Sequence, residues 1–312
     1  MNTIAIVGRS FHPDGKETAQ LLSQSLTGPL KEKGYTVQFV KLTDILFDIS
    51  NDRVEVLDSK TNTPFTDFAA VLMTNWFSHA SIRKDIAYSL ALYLRAQEIP
   101  FVNTEALYSR STSKLSQLML AALHEVPISR TVFCLNLQVL QEYLKSTDFP
   151  TPFIFKNAHA SRGNGNYLLP NIQDVARYTA EHSETSPFIA QSFVTSDTSD
   201  YRLFVVNSKI QLVIRRIGQS GSHLNNTSAG AQTELIDPAT VSAEVVAIVA
   251  TMSQVLHREV TGIDVIFDSN SGKPYFLEAN PIPQIATGSN VDAKLNALAQ
   301  GLVHIAKQKE TV

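Results

Sequence analysis

The chain has 312 residues, of which 44% are hydrophobic and 18% charged, and a formal charge of −3. This is the balance of a globular protein large enough for two or three subdomains. The near-neutral charge gives no broad basic field and excludes bulk nucleic-acid binding. Cys134 is the single cysteine, so no disulfide framework exists, and in Thr131-Val132-Phe133-Cys134-Leu135 it reads as a buried thiol. The start runs straight into an apolar strand without a basic leader, and no apolar run reaches membrane-spanning length, which points to a cytoplasmic protein.

In chain order, the first hundred residues alternate as a parallel α/β unit. Strands are expected at Ile4–Val7, Val37–Val40, Ala70–Met73 and Phe101–Val102, with helices at Thr18–Lys33 and Ile82–Gln97. Gly8-Arg9-Ser10 follows the first strand but forms no Gly-x-Gly-x-x-Gly, so a dinucleotide site is not supported. Arg9, Ser10, Asn75, His79 and Asn103 fall near strand carboxyl ends, where open α/β sheets hold ligands. Thr112–Leu123 follows as a helix, then a strand at Thr131–Leu135 and a helix at Gln138–Lys145. From Phe153 to about Val213, short strands split by turn residues (Phe153–Phe155, Tyr167–Leu169, Phe188–Phe193, Tyr201–Val206, Ile210–Ile214) describe an antiparallel α+β region with one helix at Ile172–His182. Pro238–Arg258 and Ala293–Lys307 read as the last helices.

The most informative segment lies between them. Gly262–Phe267 and Pro274–Asn280 flank the turn formers Asp268-Ser269-Asn270-Ser271-Gly272-Lys273. A hairpin closing around Ser271 sets Asp264 opposite Glu278. Strand alternation puts Glu278 and Asn280 on one face and Tyr275, Leu277 and Ala279 on the other. Directly opposed carboxylates repel, whereas an all-oxygen trio of Asp264, Glu278 and Asn280 suits a hard cation such as Mg²⁺. Two solvated acids on an exposed face remain the other reading. Upstream, the apolar strand Phe153-Ile154-Phe155-Lys156 runs into Asn157-Ala158-His159-Ala160-Ser161-Arg162-Gly163-Asn164-Gly165-Asn166, a loop whose glycines let backbone N–H groups approach phosphate. The lysine precedes the glycines and a strand follows them, which excludes a Walker A loop and a protein-kinase loop. A plain Gly/Asn hairpin loop fits the same segment.

Taken in order, Lys114 (in Ser111-Thr112-Ser113-Lys114-Leu115), Lys156, the glycine loop, Gln191-Ser192-Phe193, Asp200-x-Arg202, Arg216, a loop asparagine, Gly262-x-Asp264 and Glu278-x-Asn280 resemble the ATP-grasp superfamily. The resemblance, from Lys114 to Pro283, is to the branch with ribosomal protein S6 glutamate ligase and prokaryotic glutathione synthetase. It implies an ATP-grasp fold, α/β plus α+β, with an N-terminal parallel α/β (pre-ATP-grasp) domain over residues 1–108. A central subdomain at 109–186 would carry the glycine loop, and a C-terminal one at 187–312 the metal site. It assigns Lys114, Lys156 and the loop Arg162, Gly163 and Gly165 to the ATP phosphates, Gln191, Ser192 and Phe193 to the adenine-side hinge, and Asp200 to ribose and phosphates. Asp264, Glu278 and Asn280 would hold two Mg²⁺ ions, with Mn²⁺ able to substitute. Arg202, Arg216 and Asn225, with the backbone near Gly230, would face the transferred phosphoryl group.

The implied activity is an ATP-dependent carboxylate–amine ligase acting through an acyl phosphate on a small-molecule or peptide acid and an amine, without nucleic-acid or membrane partners. The resemblance leaves room for a homo-oligomer. Two other classes stay open: an ATP-grasp kinase acting on a hydroxyl, and a non-catalytic ATP-binding regulator. The chain departs from its relatives at His223, where they carry arginine, and at Pro281-Ile282-Pro283-Gln284, where a Gly-containing turn is commoner. Both departures bear on the second substrate rather than on ATP.

Overall fold

A computed structural model describes residues 2–11, 17–74, 81–108, 113–158, 165–177, 187–218, 232–281 and 283–308. Strands β1 (Thr3–Gly8) and β2 (Thr36–Lys41) pair in parallel. The stretch after β2, unassigned from sequence, folds into a small antiparallel sheet of β3 (Ile45–Ile49), β4 (Val54–Asp58) and β5 (Thr63–Pro64). Its turn former Asn51-Asp52 was the signal that could have found it. Strands β6 (Ala70–Met73) and β7 (Phe101–Val102) complete the expected four-stranded parallel sheet, order β2–β1–β6–β7.

Alternation decides what covers that sheet. Ile4, Ile6 and Leu72 face helix α1 (Ala19–Lys31), while Ala5, Val7 and Val71 face helix α2 (Ser81–Ala96). Helix α1 buries Leu22, Leu26 and Leu30 at the helical interval, and its N-cap Thr18 accepts from Leu21 N–H at 3.1 Å. Gly8 is required where β1 ends, because a Cβ there would lie 2.1 Å from Thr74 O and 2.6 Å from the Ala19 Cβ.

Helix α3 (Lys114–Leu123), capped by Ser113, leads to a second, antiparallel sheet. Its strands are β8 (Thr131–Phe133), β9 (Phe153–Asn157), β10 (Asn166–Leu169) and β11 (Phe188–Ser192), in the order β10–β9–β11–β8. Helix α4 (Leu137–Ser146), with Asn136 accepting from Gln138 and Val139 N–H, buries Leu137, Leu140 and Leu144 against it. Strand β11, which the sequence reading set just inside the C-terminal segment, belongs to this central sheet.

A third sheet closes the chain: β12 (Ser199–Val206), β13 (Lys209–Ile217), β14 (Gln232–Ile236), β15 (Val260–Phe267) and β16 (Pro274–Asn280), ordered β14–β13–β12–β15–β16. Leu203, Val205, Val213, Ile263, Val265 and Phe276 point to one face, against α3 and helix α5 (Ala243–Leu256). The expected helix from Pro238 is interrupted. Pro238–Thr240 is a separate 3₁₀ turn capped by Asp237, and α5 begins only after its own N-cap, Ser242. Two consecutive capping side chains offer the backbone partners outside a helix, which the periodicity alone did not reveal. The polar edge strand β14 carries five mostly exposed residues, so no apolar pattern announced it.

Helix α6 (Val291–Gln308) packs Leu295, Leu298 and Leu302 with α1 and with Phe204 and Val206 of β12. The N-terminal unit is therefore bound to the third sheet. The Glu259 carboxylate reinforces that junction, accepting from Asn103 N–H at 2.6 Å, Thr104 N–H at 2.9 Å and Thr104 Oγ1–H at 2.6 Å. Beside it, the fully buried Arg258 Nε donates to Glu105 Oε2 at 2.8 Å. Asn103, expected to line a ligand crevice, is instead buried in this junction. Its Nδ2 donates to Met73 O at 2.9 Å and its Oδ1 accepts from Val260 N–H at 3.0 Å.

Candidate active site

Strand alternation places Asp200 and Arg202 on one face of β12, away from the α3–α5 core. The antiparallel register then sets Arg216 opposite Asp200, Arg202 opposite Asp264 and Asp264 opposite Glu278. The Asp264–Glu278 pairing matches the sequence expectation. Arg202 grips Asp264 with both ends of its fork, Nε to Oδ1 and Nη2 to Oδ2, each at 2.8 Å. Arg216 bridges two carboxylates, donating from Nε to Asp200 Oδ1 at 2.5 Å and from Nη2 to Asp264 Oδ2 at 2.9 Å. Across β13, β12 and β15 opposite charges face one another in register, which is how charge can be buried in a sheet at all, whereas Asp264 and Glu278 on β15 and β16 are of like sign.

One detail of the hairpin differs from the simple alternation. Asp264 pairs with Glu278, but Val265 pairs with Phe276, so Leu277 is an extra residue in β16. The bulge shifts the inward side chains: Phe276 and Ala279 are buried in the core, and Leu277 is only half-buried. Simple alternation put Tyr275, Leu277 and Ala279 together on the face opposite Glu278 and Asn280; of these only Ala279 is buried in the core, with Phe276 beside it. Glu278 and Asn280 keep the outward face, because both lie after the bulge.

Burial sets the protonation of this cluster. Burial raises Asp264, yet Arg202 and Arg216 outweigh it and hold the carboxyl below the usual carboxylate range. Asp200 is pushed up to about 6 by burial, with the Asp264 charge adding to the rise against the pull of Arg216. Two carboxylates share Arg216, and Asp264 alone also has Arg202, so the repulsion falls on Asp200. At the near end of the row, Lys114 Nζ stands 3.8 Å from Glu278 Oε2. Lys156, at the end of β9, is buried, and burial together with the Lys114 charge pushes its ammonium down to about 8.

Phosphate binding and a hard cation make different demands on these groups. Four cationic side chains (Lys114, Lys156, Arg202, Arg216) gather around three carboxylates (Asp200, Asp264, Glu278). That surplus suits a polyanion. For Mg²⁺, the donor set is oxygen throughout. Asp264 Oδ1 accepts one N–H and Oδ2 accepts two, which leaves lone-pair capacity on Oδ1. Asn280 Nδ2 donates to Glu278 Oε1 at 3.1 Å, so the two outward side chains of β16 touch. Among the described residues no three His, Cys, Asp or Glu converge. The expected trio is not a group of that kind, since its third member, Asn280, is an amide.

The remaining expectations divide. Gln191 is buried and its Nε2 donates to Thr131 Oγ1 at 3.1 Å, while Ser192 N–H donates to Arg130 O at 2.9 Å. These contacts fix the end of β11, and Phe193 follows it half-buried. Gly165 takes a left-handed φ of 63° as the loop re-enters β10. Arg162, Gly163, Asn225, His223 and Gly230 lie outside the described residues, as do Asn75 and His79. The sequence reading missed Lys294, buried in α6, whose Nζ donates to Gln284 O and Thr287 O. It lines, with Arg202, Arg216, Pro283, Gln284 and Ser289, a cavity of about 20 Å³ beside the arginines, room for roughly one water. Gln284 holds a left-handed φ of 58° there. The departure of Pro281–Gln284 from a Gly-containing turn was the available signal.

Comparison with known proteins bears directly on this geometry. The family model described as the RimK-like ATP-grasp domain matches residues 111–305. The chain belongs to the RimK-like ATP-grasp family. It is 28% identical over 219 residues to a probable alpha-L-glutamate ligase of Mannheimia succiniciproducens, covering 68% of this chain and 70% of that one. A second probable alpha-L-glutamate ligase, from Xylella fastidiosa, is 28% identical over 194 residues, 60% of this chain and 62% of its own. Among solved structures, the ATP-grasp ligase PsnB with minimal precursor, Mg and ADP superposes with a TM-score of 0.72 at 15% identity, covering 97% of each chain. A RiPP-associated ATP-grasp ligase of Chryseobacterium gregarium, with ADP and a leader and core peptide, gives 0.70 at 14% identity and 97% coverage of each. Those likenesses establish the ATP-grasp fold, in superpositions that span 97% of the chain. Family, named relatives and fold agree on one enzyme class, an ATP-dependent carbon–nitrogen ligase.

Two measurements check the electrostatics of this RimK-like site. A phosphate beside Lys156 would raise its pKa from about 8, so nucleotide binding there would take up a proton above that pH and weaken as pH climbs through it. Calorimetric titration with Mg²⁺·ADP in buffers of different ionisation enthalpy should show that uptake, and Lys156→Met should abolish it. In urea denaturation, Asp264→Asn removes the buried carboxylate that Arg202 grips and Arg216 shares with Asp200, and should cost roughly 3–5 kcal/mol. Glu278→Gln, at a partly exposed position, should stay within about 0.5 kcal/mol of wild type.

Proposed function

We propose that the protein joins a carboxylic acid to an amine through an acyl phosphate, releasing ADP and phosphate. The observation that carries this reading is the charge row on one sheet face, Arg216, Asp200, Arg202, Asp264 and Glu278, with Lys114 and Lys156 at its end. Phosphoryl transfer asks little covalent chemistry of a protein and much positioning of cations around equatorial oxygens. In this reading Lys114 and Lys156 bind the ATP phosphates under the loop of Arg162, Gly163 and Gly165. Gln191, Ser192 and Phe193 flank the adenine, and Asp200 lies near the ribose and phosphates. Arg202, Arg216 and Asn225 steady the γ-phosphoryl group while the substrate carboxylate oxygen attacks phosphorus and the bond to the β-phosphate oxygen breaks. The amine nitrogen then attacks the acyl carbon, the acyl–oxygen bond breaks, phosphate leaves, and the nitrogen loses a proton. Asp264, Glu278 and Asn280 would hold two Mg²⁺ ions, which would supply positive charge against the phosphates of ATP.

The relatives named as glutamate ligases support glutamate as one of the two substrates. The neighbours solved with precursor and core peptides support a peptide as the other. Incubating the protein with Mg²⁺·ATP, L-glutamate and a panel of peptides should yield ADP and free phosphate in equal amounts only when acid and amine are both present. ADP without free phosphate, accompanied by a phosphorylated hydroxyl compound, would instead identify a kinase.

A further inference from the structure

Strand β16, which bears Glu278 and Asn280, is the edge of its sheet. Its outward backbone groups therefore have no neighbouring strand, and a buried unpaired N–H or C=O is expensive. Side chains from elsewhere satisfy both groups of Ala279, the residue between the two candidate ligands. Gln117, buried in α3, accepts from Ala279 N–H through Oε1 at 2.7 Å. Arg258 Nη1 donates to Ala279 O at 2.7 Å while Glu105 holds its Nε. On the next residue, Thr261 Oγ1 donates to Asn280 O at 2.9 Å.

Gln117 differs from the other two in what it connects. It lies three residues after Lys114, so both project from one face of α3. Lys114 reaches Glu278 and Gln117 reaches Ala279, so one helix face reads two successive residues of β16. The Glu278 carboxylate is partly exposed, and its direction follows from the backbone that carries it. We propose that Gln117 is a positioning residue, which fixes the Glu278–Ala279–Asn280 backbone against the helix of Lys114 and so sets the distance between cation ligands and phosphate-binding lysine. This rests on the assignment of Glu278 and Asn280 to Mg²⁺. Arg258 and Thr261 hold the same strand to the sheet and the N-terminal unit, and neither joins it to a phosphate-binding group.

The split between metal-dependent and metal-independent nucleotide binding separates positioning from mere support. Calorimetric ADP affinities of wild type and Q117L are measured with Mg²⁺ and with EDTA, and each protein's melting temperature is recorded. Q117L should lose about tenfold in affinity for ADP in the presence of Mg²⁺, the usual scale for groups that orient metal ligands. Its affinity in EDTA should stay within about twofold of wild type. Should Q117L fail to fold, Q117M, which keeps the length and removes the acceptor, carries the same comparison. Equal losses with and without Mg²⁺, or none in either, would overturn the proposal and leave Gln117 as an edge cover. A wild type that gains no ADP affinity from Mg²⁺ would overturn the metal assignment itself, and the proposal with it.

Discussion

Everything at this site depends on the Asp264 carboxylate and on the two arginines that share it. A carboxylate in so buried a place would be driven neutral by desolvation alone. It stays charged because Arg202 meets it with a full fork and Arg216 adds a third N–H. Neither arginine could do so with the sheet one residue out of register. A slip would turn every side chain of that strand to the other face and bury the arginines among Leu203, Val205 and Ile263. The charge row and the hydrophobic face opposite it therefore enforce one another.

The parallel sheet and the central sheet serve this row from different distances. The N-terminal unit is locked to the third sheet through Glu259, Arg258 and the α1–α6 packing, so its strands have a fixed relation to β15 and β16. The central sheet carries Lys156 near the end of β9 and Gln191 and Ser192 at the end of β11. Glu17 adds a further tie, accepting from Ala286 N–H at 2.5 Å in the segment that follows the candidate ligands.

Much of this was legible in the sequence, and the rest was missing for identifiable reasons. Turn formers on both sides of Ser271 announced the hairpin and the Asp264–Glu278 pairing. The ordered lysines, glycine loop and acidic tail announced the family. The bulge at Leu277 was not legible, because two apolar residues in a row, Phe276 and Leu277, fit either face until the core chooses one. The sharing of Asp264 by two arginines was hidden as well, since Arg216 and Asp264 are 48 residues apart and meet only through strand order. Asn103 misled for the opposite reason. Its place after a strand suggested a ligand, whereas its left-handed backbone and two buried hydrogen bonds serve the junction. Gln117 drew no notice because a glutamine in an amphipathic helix carries no signal of what it will meet.

The proposal to test most directly is spatial: a divalent cation bound on the sheet face that carries Asp264, Glu278 and Asn280 of β15 and β16. Replacing Mg²⁺ with Fe²⁺ in the presence of ADP, then adding ascorbate and peroxide, cleaves the backbone next to the bound ion. Mapping the fragments by mass spectrometry should place the cuts around residue 264 and residues 278–280, with excess Mg²⁺ suppressing them. Cuts confined to other parts of the chain, or cuts here that Mg²⁺ leaves unchanged, would contradict the account.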